Sequence, residues 1–182
     1  MRLTDFESLP TKTVATWEPP NHHIQGLAFA PDGRTLAAAS ANLGNVFLLE
    51  CDDAELILRG TLGGTGSIES LAFAPDGSHF AAANRDGPVY LWDLLANVDA
   101  PGTALLGHGT PVTSVTFGTG GKVLASADWD GRLILWDVPG RKQKASWEFP
   151  GRISSLAFAP DGQYLAVGGA TGVVYIMRLS QD

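Results

Sequence analysis

Four repeated, four-stranded antiparallel sheets and no significant helix are predicted for this chain, on three observations. The seven residues LAFAPDG stand at Leu27–Gly33, Leu71–Gly77 and Leu156–Gly162, and Val115–Gly121 (VTFGTGG) fills the remaining place. These four starts fall 44, 44 and 41 residues apart, so one structural unit is copied along the chain. Around them, short apolar runs alternate with a period of two, as strands with one buried face do. The 22 glycines and 11 prolines supply the tight turns that many short strands need.

The most complete unit is Gly107–Asp137, GHGTPVTSVTFGTGGKVLASADWDGRLILWD. Val112–Phe117, Val123–Ala127 and Leu133–Trp136 alternate as strands, and Gly118–Gly121 and Asp128–Gly131 break them with turn-tolerant residues. Gly107-His108 opens the unit, Asp130-Gly131 lies in its second turn and Leu135-Trp136-Asp137 closes it. With these residues it resembles a complete WD (WD40) repeat, one blade of a β-propeller. The resemblance extends over nearly the whole chain, because the spacing lies inside the roughly 40–45 residues of a WD repeat.

In chain order, residues 1–10 are expected to be a flexible lead-in and 11–182 a single WD40 repeat domain. Thr11–Trp17 (TKTVATW) alternates as a strand and matches Lys142–Trp147 (KQKASW). Both read as outer strands, "d", each lying ahead of the innermost strand, "a", of the next blade. Blade one spans about 24–61, with Ile24–Ala30 as a, Thr35–Ser40 as b, Val46–Glu50 as c and Glu55–Thr61 as d. Pro31-Asp32-Gly33 suits a type I turn followed by a left-handed glycine, so Gly33, Gly77 and Gly162 are expected at positive φ. Blade two (68–106) runs through Ile68–Ala74, Ser78–Ala83, Val89–Trp92 and Thr103–Leu106, and blade three spans 112–147. Blade four (153–178) has Ile153–Ala159, Tyr164–Gly168 and Val173–Arg178 but no d strand of its own.

The strand at 11–17 and the a-b-c set at 153–178 together make a fourth complete blade. Propellers close by sharing one blade between the two ends of the ring, which removes unpaired sheet edges. Two closures are open here. Thr11–Trp17 pairs either with Val173–Arg178 of its own chain, giving four blades, or with that strand of a second chain, giving a homodimeric eight-bladed ring. A third reading is a piece of a longer WD40 protein.

Composition narrows the function. The length suits one domain. Cys51 is the only cysteine, so no disulfide forms within the chain and a reducing, cytoplasmic setting is expected. No apolar run reaches the roughly 18 residues of a membrane span, and MRLTDFESLP lacks a signal peptide's apolar core. A net charge of −7 opposes nucleic-acid binding, which needs basic surface to neutralise phosphate, and favours a neutral or basic protein partner.

His108, Ser126, Asp130 and Trp136 offer a choice between a nucleophilic triad and a structural network. The resemblance implies the network: the Trp N–H bonds the serine, the serine bonds the histidine and the turn aspartate holds the histidine. A triad also needs an oxyanion hole and a cleft, and no motif supplies either. Blade two keeps only part of the network, Asp86 and Trp92, with Ala82 and Gly64 in the other two places. Blade one has Ala38, Leu43 and Leu49 there, and blade four has Val167, Thr171 and Met177, so these blades rely on apolar packing.

Other signals are weaker. His22-His23 lacks the three or four converging ligands of a metal site. Gly63–Ser67 lacks the lysine and following helix of a phosphate loop. No metal and no cofactor is expected.

In a propeller the d–a loops and b–c turns gather on one face, which the family uses for binding. That face is expected to carry His22, His23 and Gln25 from blade one, Ser67 and Glu69 from blade two, Thr110 and Thr113 from blade three, and Arg152 and Ser154 from blade four. The b–c turns add Asn42, Arg85, Trp129 and Thr171. Trp129 stands out, because tryptophan and arginine are enriched among interface hot spots; the competing role for it is packing on its own loop or a neighbouring blade. The expected function is a non-catalytic scaffold that presents this face to a protein or peptide. The alternative is a structural half-propeller that completes a larger ring. A propeller enzyme is disfavoured, because the innermost strands GLAFA, SLAFA, SVTFG and SLAFA carry no acid, base or metal ligand.

Overall fold

The computed structural model describes residues 15–19, 23–41, 44–52, 55–63, 66–95 and 101–179. Among them are fifteen strands and no helix, so no helix is long and apolar enough to cross a membrane. β1 (Ile24–Phe29), β2 (Thr35–Ser40), β3 (Val46–Asp52) and β4 (Glu55–Leu62) form the first sheet. The second is β5 (Ile68–Phe73), β6 (His79–Asn84), β7 (Val89–Asp93) and β8 (Thr103–Leu105). The third is β9 (Val112–Phe117), β10 (Val123–Asp128), β11 (Arg132–Asp137) and β12 (Lys142–Glu148). The fourth has three strands, β13 (Ile153–Phe158), β14 (Tyr164–Gly169) and β15 (Val174–Arg178). Each sheet is an antiparallel meander in chain order, the arrangement short connections impose on consecutive strands.

The a–b turns are built by their aspartates. Asp32 Oδ1 accepts the N–H groups of Arg34 and Thr35, both at 2.8 Å, and its Oδ2 accepts the Thr35 hydroxyl at 2.7 Å. Asp76 likewise takes the Ser78 hydroxyl at 2.6 Å, and Asp161 the N–H of Gln163 at 2.9 Å. These donors hold the Asp32 and Asp76 carboxyls below the ordinary carboxylate range. Gly33, Gly77 and Gly162 then turn the chain at φ 68°, 72° and 71°, where a Cβ is disfavoured.

The sheets stack face to face. On one face, strand b of the first three sheets carries two buried alanines, Ala37 and Ala39, Ala81 and Ala83, and Ala125 and Ala127. These small residues let larger side chains of the next sheet approach. Ala37 and Ala39 meet Phe80 and Trp92, Ala81 and Ala83 meet Phe117 and Trp136, and Ala125 and Ala127 meet Leu156 and Leu165. Each sheet therefore has a leading face toward the preceding sheet and a trailing face toward the next.

A bulge recurs where strand a begins. Register shifts at Ile24/Gly26, Ile68/Ser70 and Ile153/Ser155 on strand a, and at Ala127/Asp128 on β10 opposite Val112 and Ser114, leave Gln25, Glu69, Ser154 and Thr113 unpaired in their ladders. Such bulges re-aim a side chain at the end of a sheet. At the same end, the N–H groups of Ala41, Arg85, Trp129 and Ala170 donate to carbonyls of His23, Ser67, Pro111 and Arg152. Every b–c turn is thereby tied to the d–a loop of its own sheet.

The strand expected at Thr11–Trp17 is corrected in part. Residues 11–14, with the lead-in 1–10, lie outside the described residues, and Ala15, Thr16 and Trp17 form no strand. Trp17 instead sets its ring edge-on against Phe47 of β3, with centroids 4.9 Å apart. Burial of the indole on an aromatic neighbour takes the place of strand pairing for these residues.

Candidate functional site around Trp129

The geometry of the third sheet begins with a buried relay. Trp136 on strand c donates its indole N–H to Ser126 Oγ on strand b at 2.7 Å. Ser126 Oγ lies 2.6 Å from His108 Nε2, and His108 Nδ1 lies 2.8 Å from Asp128 Oδ2. One assignment of hydrogens satisfies all of these contacts: the serine hydroxyl donates to Nε2, and Nδ1–H donates to the carboxylate. Burial pushes the His108 imidazole below its ordinary value of 6.5, against the opposing hydrogen bond and charge of Asp128. The side chains of His108 and Asp128 are both sealed from solvent, and Ser126 is fully buried.

The aspartate in this relay is Asp128, which corrects the expectation for Asp130. Asp128 is the last residue of strand b, so its side chain shares a face with Ser126, two residues earlier. Asp130 lies in the turn itself, where its N–H donates to Asp128 Oδ1 at 3.1 Å. The Arg132 N–H donates to the same oxygen at 2.9 Å. Asp128 therefore joins the buried relay to the turn that carries Trp129. Gly131 closes that turn at φ 91°, against the Phe149 carbonyl, where no Cβ fits.

In the second sheet Asn84 occupies the corresponding position, and Asp86 again lies outside any relay. The Asp86 N–H donates to Asn84 Oδ1 at 2.6 Å, while the buried Asn84 Nδ2 has no partner among the described residues. Trp92 packs between aromatic neighbours, 5.7 Å from Phe80 and 6.0 Å from Tyr90. Gly64 and Leu43, aligned with network positions of the third unit, lie outside the described residues.

Above this framework three side chains from successive sheets converge. The Arg85 guanidinium lies 5.7 Å from the centre of the Trp129 ring, and that of Arg152 lies 5.0 Å from it. Both distances fall within the roughly 6 Å of a cation–π contact, worth about 0.5–1 kcal/mol each at an exposed site. Glu69 approaches Arg85 at 3.8 Å. Trp129 is nonetheless 40% exposed, held by its neighbours yet open to solvent.

The remaining residues expected on this face divide into three groups. His23, Gln25, Ser154 and Thr171 are exposed, and Ser67 is half-buried. Thr113 is buried and donates its hydroxyl to the carbonyls of Ala127 at 3.1 Å and Ile153 at 2.6 Å, while the Thr110 hydroxyl is buried without a partner among the described residues. His22 and Asn42 lie outside the described residues. Sequence reasoning overlooked Asp128 and Asn84, which stand in one column with Ser40 and Gly169 when the four strand b segments are aligned.

Comparison with known families agrees with this architecture. The WD40 family, described as WD domain, G-beta repeat, matches residues 57–93, 100–137 and 142–176. Each match starts in or just before a strand d and ends on a strand c, so the family repeat is offset by one strand from the structural blade. A search among curated proteins finds no match. The matched segments cover more than half of the chain, and this protein belongs to the WD40 repeat family.

Proposed function

We propose that this chain is a non-catalytic protein-binding scaffold whose recognition surface is the loop face centred on Trp129. The observation that carries the reading is the stacking of Arg85 and Arg152 on the half-exposed Trp129 ring. A large aromatic held in one orientation has little conformational freedom left to lose on binding, the property that makes such residues hot spots. WD40 domains generally bind proteins or peptides. Ser126, His108 and Asp128 have the residue types of a hydrolytic triad, but their burial and their use in the relay leave the serine no route to a substrate. The net charge of −7 supports a neutral or basic protein partner and opposes nucleic acid. The lone thiol, Cys51, supports a reducing, cytoplasmic setting.

The test compares proteins captured by the wild-type chain with those captured by Trp129→Ala. Loss of at least one partner, with a loss of affinity above about 2 kcal/mol and an unchanged circular-dichroism spectrum, supports the reading. Retention of every partner at full affinity retires it.

Exposed apolar side chains on the first and fourth sheets favour a second, compatible reading. The chain completes a larger ring by self-association, and the loop face is displayed on that ring.

A further inference from the structure

We infer that the trailing face of the fourth sheet seats on the leading face of the first sheet of a second copy, closing a ring of two chains. This rests on the self-association reading and gives it a register. Within the chain, a trailing face meets a leading face three times, and both contacting surfaces are built from repeated positions. Parts of the same two surfaces lie open at the outermost sheets, although on the leading face of the first sheet Ala38, Phe47 and Leu49 are buried and Trp17 lies against Phe47. Leu27 is 65% exposed where its counterpart Val115 is 5%, and Ile176 is 63% exposed where its counterpart Leu135 is 6%. Phe29 and Val174 are exposed in the same way, although Phe117 and Leu133 at the equivalent positions are buried. One chain thus carries both halves of a contact that it makes internally, and the two halves do not cover each other.

The polar contacts specify the same partner. Between sheets three and four, Thr113 Oγ1 donates to the Ile153 carbonyl at 2.6 Å, and Ser114 Oγ accepts the Leu156 N–H at 3.2 Å. Between sheets two and three, Ser70 Oγ accepts the Val115 N–H at 3.3 Å. In the fourth sheet Ser154 and Ser155 stand where Thr113 and Ser114 stand in the third. Both are exposed, and neither hydroxyl makes a hydrogen bond among the described residues. In the repeated register Ser154 donates to the Ile24 carbonyl of the second copy, and Ser155 accepts its Leu27 N–H. A contact between unlike faces forms a closed ring only when the rotation it imposes returns to its start, and otherwise grows as a filament. The proposal is closure at two chains.

The test is sedimentation of the full chain over a wide range of concentration. The expected species has twice the 19.1 kDa of one chain and does not grow further. Ile176→Asp and Leu27→Asp are each expected to lower the mass to one chain, with the β spectrum unchanged. Their equimolar mixture is expected to regain the two-chain species, because one unmodified pair of faces remains. Leu58→Asp, on exposed β4, is expected to leave the mass unaltered. A wild-type protein at the mass of one chain overturns the inference together with self-association. A two-chain wild type that survives both aspartates overturns this register alone, as does a mixture that fails to reassociate. Growth beyond two chains overturns closure. Partner capture by the Trp129→Ala variant is read separately, so the loop-face reading stands or falls independently.

Discussion

The second and third sheets are one design stabilised in two ways. In the third, a strand c indole, a strand b serine, a loop histidine and a strand b aspartate form a continuous buried relay. In the second, alanine and asparagine replace the serine and the aspartate, and Phe80 and Tyr90 fill the space around Trp92. The strand registers are nevertheless the same: Ser126 pairs with Val115 and Ile134, and Ala82 with Leu71 and Tyr90. The relay is therefore not what makes the sheet. It fixes the turn, because Asp128 holds the histidine with one oxygen and two turn N–H groups with the other. Asn84 holds a single turn N–H group. A fully satisfied buried network of this kind specifies one arrangement, and the side chain displayed on the anchored turn is Trp129.

That difference sets an order of expected effects. Asp128→Ala is expected to cost most, about 3 kcal/mol, because three hydrogen bonds to a carboxylate are lost and the buried Nδ1–H of His108 is stranded; urea denaturation reads the loss. His108→Ala is expected to cost about 1–3 kcal/mol by the same measurement, since Ser126 and Asp128 lose a sealed partner. Asn84→Ala, the matching change in the second sheet, is expected to cost only about 1 kcal/mol. An equal cost at Asn84 and Asp128 would break the distinction between the sheets.

The third sheet's relay is also sensitive to acid. Burial lowers the folded-state pKa of His108 from 6.5, so just below pH 6.5 the unfolded chain takes up a proton that the folded chain refuses. Stability from this group is fully present above the unfolded value. It declines as pH falls below that value and levels off at the folded one. Denaturation midpoints are expected to fall between neutral pH and pH 5 in the wild type, and less steeply in His108→Ala. A midpoint that rises on acidification would show that the imidazole is charged in the folded state.

Much of the fold was legible because repetition overdetermines it. The recurring Asp-Gly turns and the period-two runs report the same sheet. The first sheet is formed although its β1–β3 segment lies outside the family matches, since apolar alternation suffices without the polar signature. The buried relay was legible except for its acid. Asp130 sits beside Gly131 and looks like the functional turn residue, while side-chain alternation along strand b points Asp128 inward with Ser126. The meeting of Arg85, Trp129 and Arg152 was only half legible. Each residue was visible as part of a loop face, but ring contact across three sheets depends on inter-sheet spacing, which no local pattern records. Thr113 shows the converse: a polar residue at the right bulge is buried because its hydroxyl joins two sheets.

The buried relay, acting through Asp128, holds Trp129 against the two arginines. Side-chain proton chemical shifts of Arg85 and Arg152 report this arrangement. Upfield ring-current shifts are expected that disappear in Trp129→Ala and shrink in Asp128→Ala while the protein remains folded. Shifts that stay at full size in Asp128→Ala would contradict it.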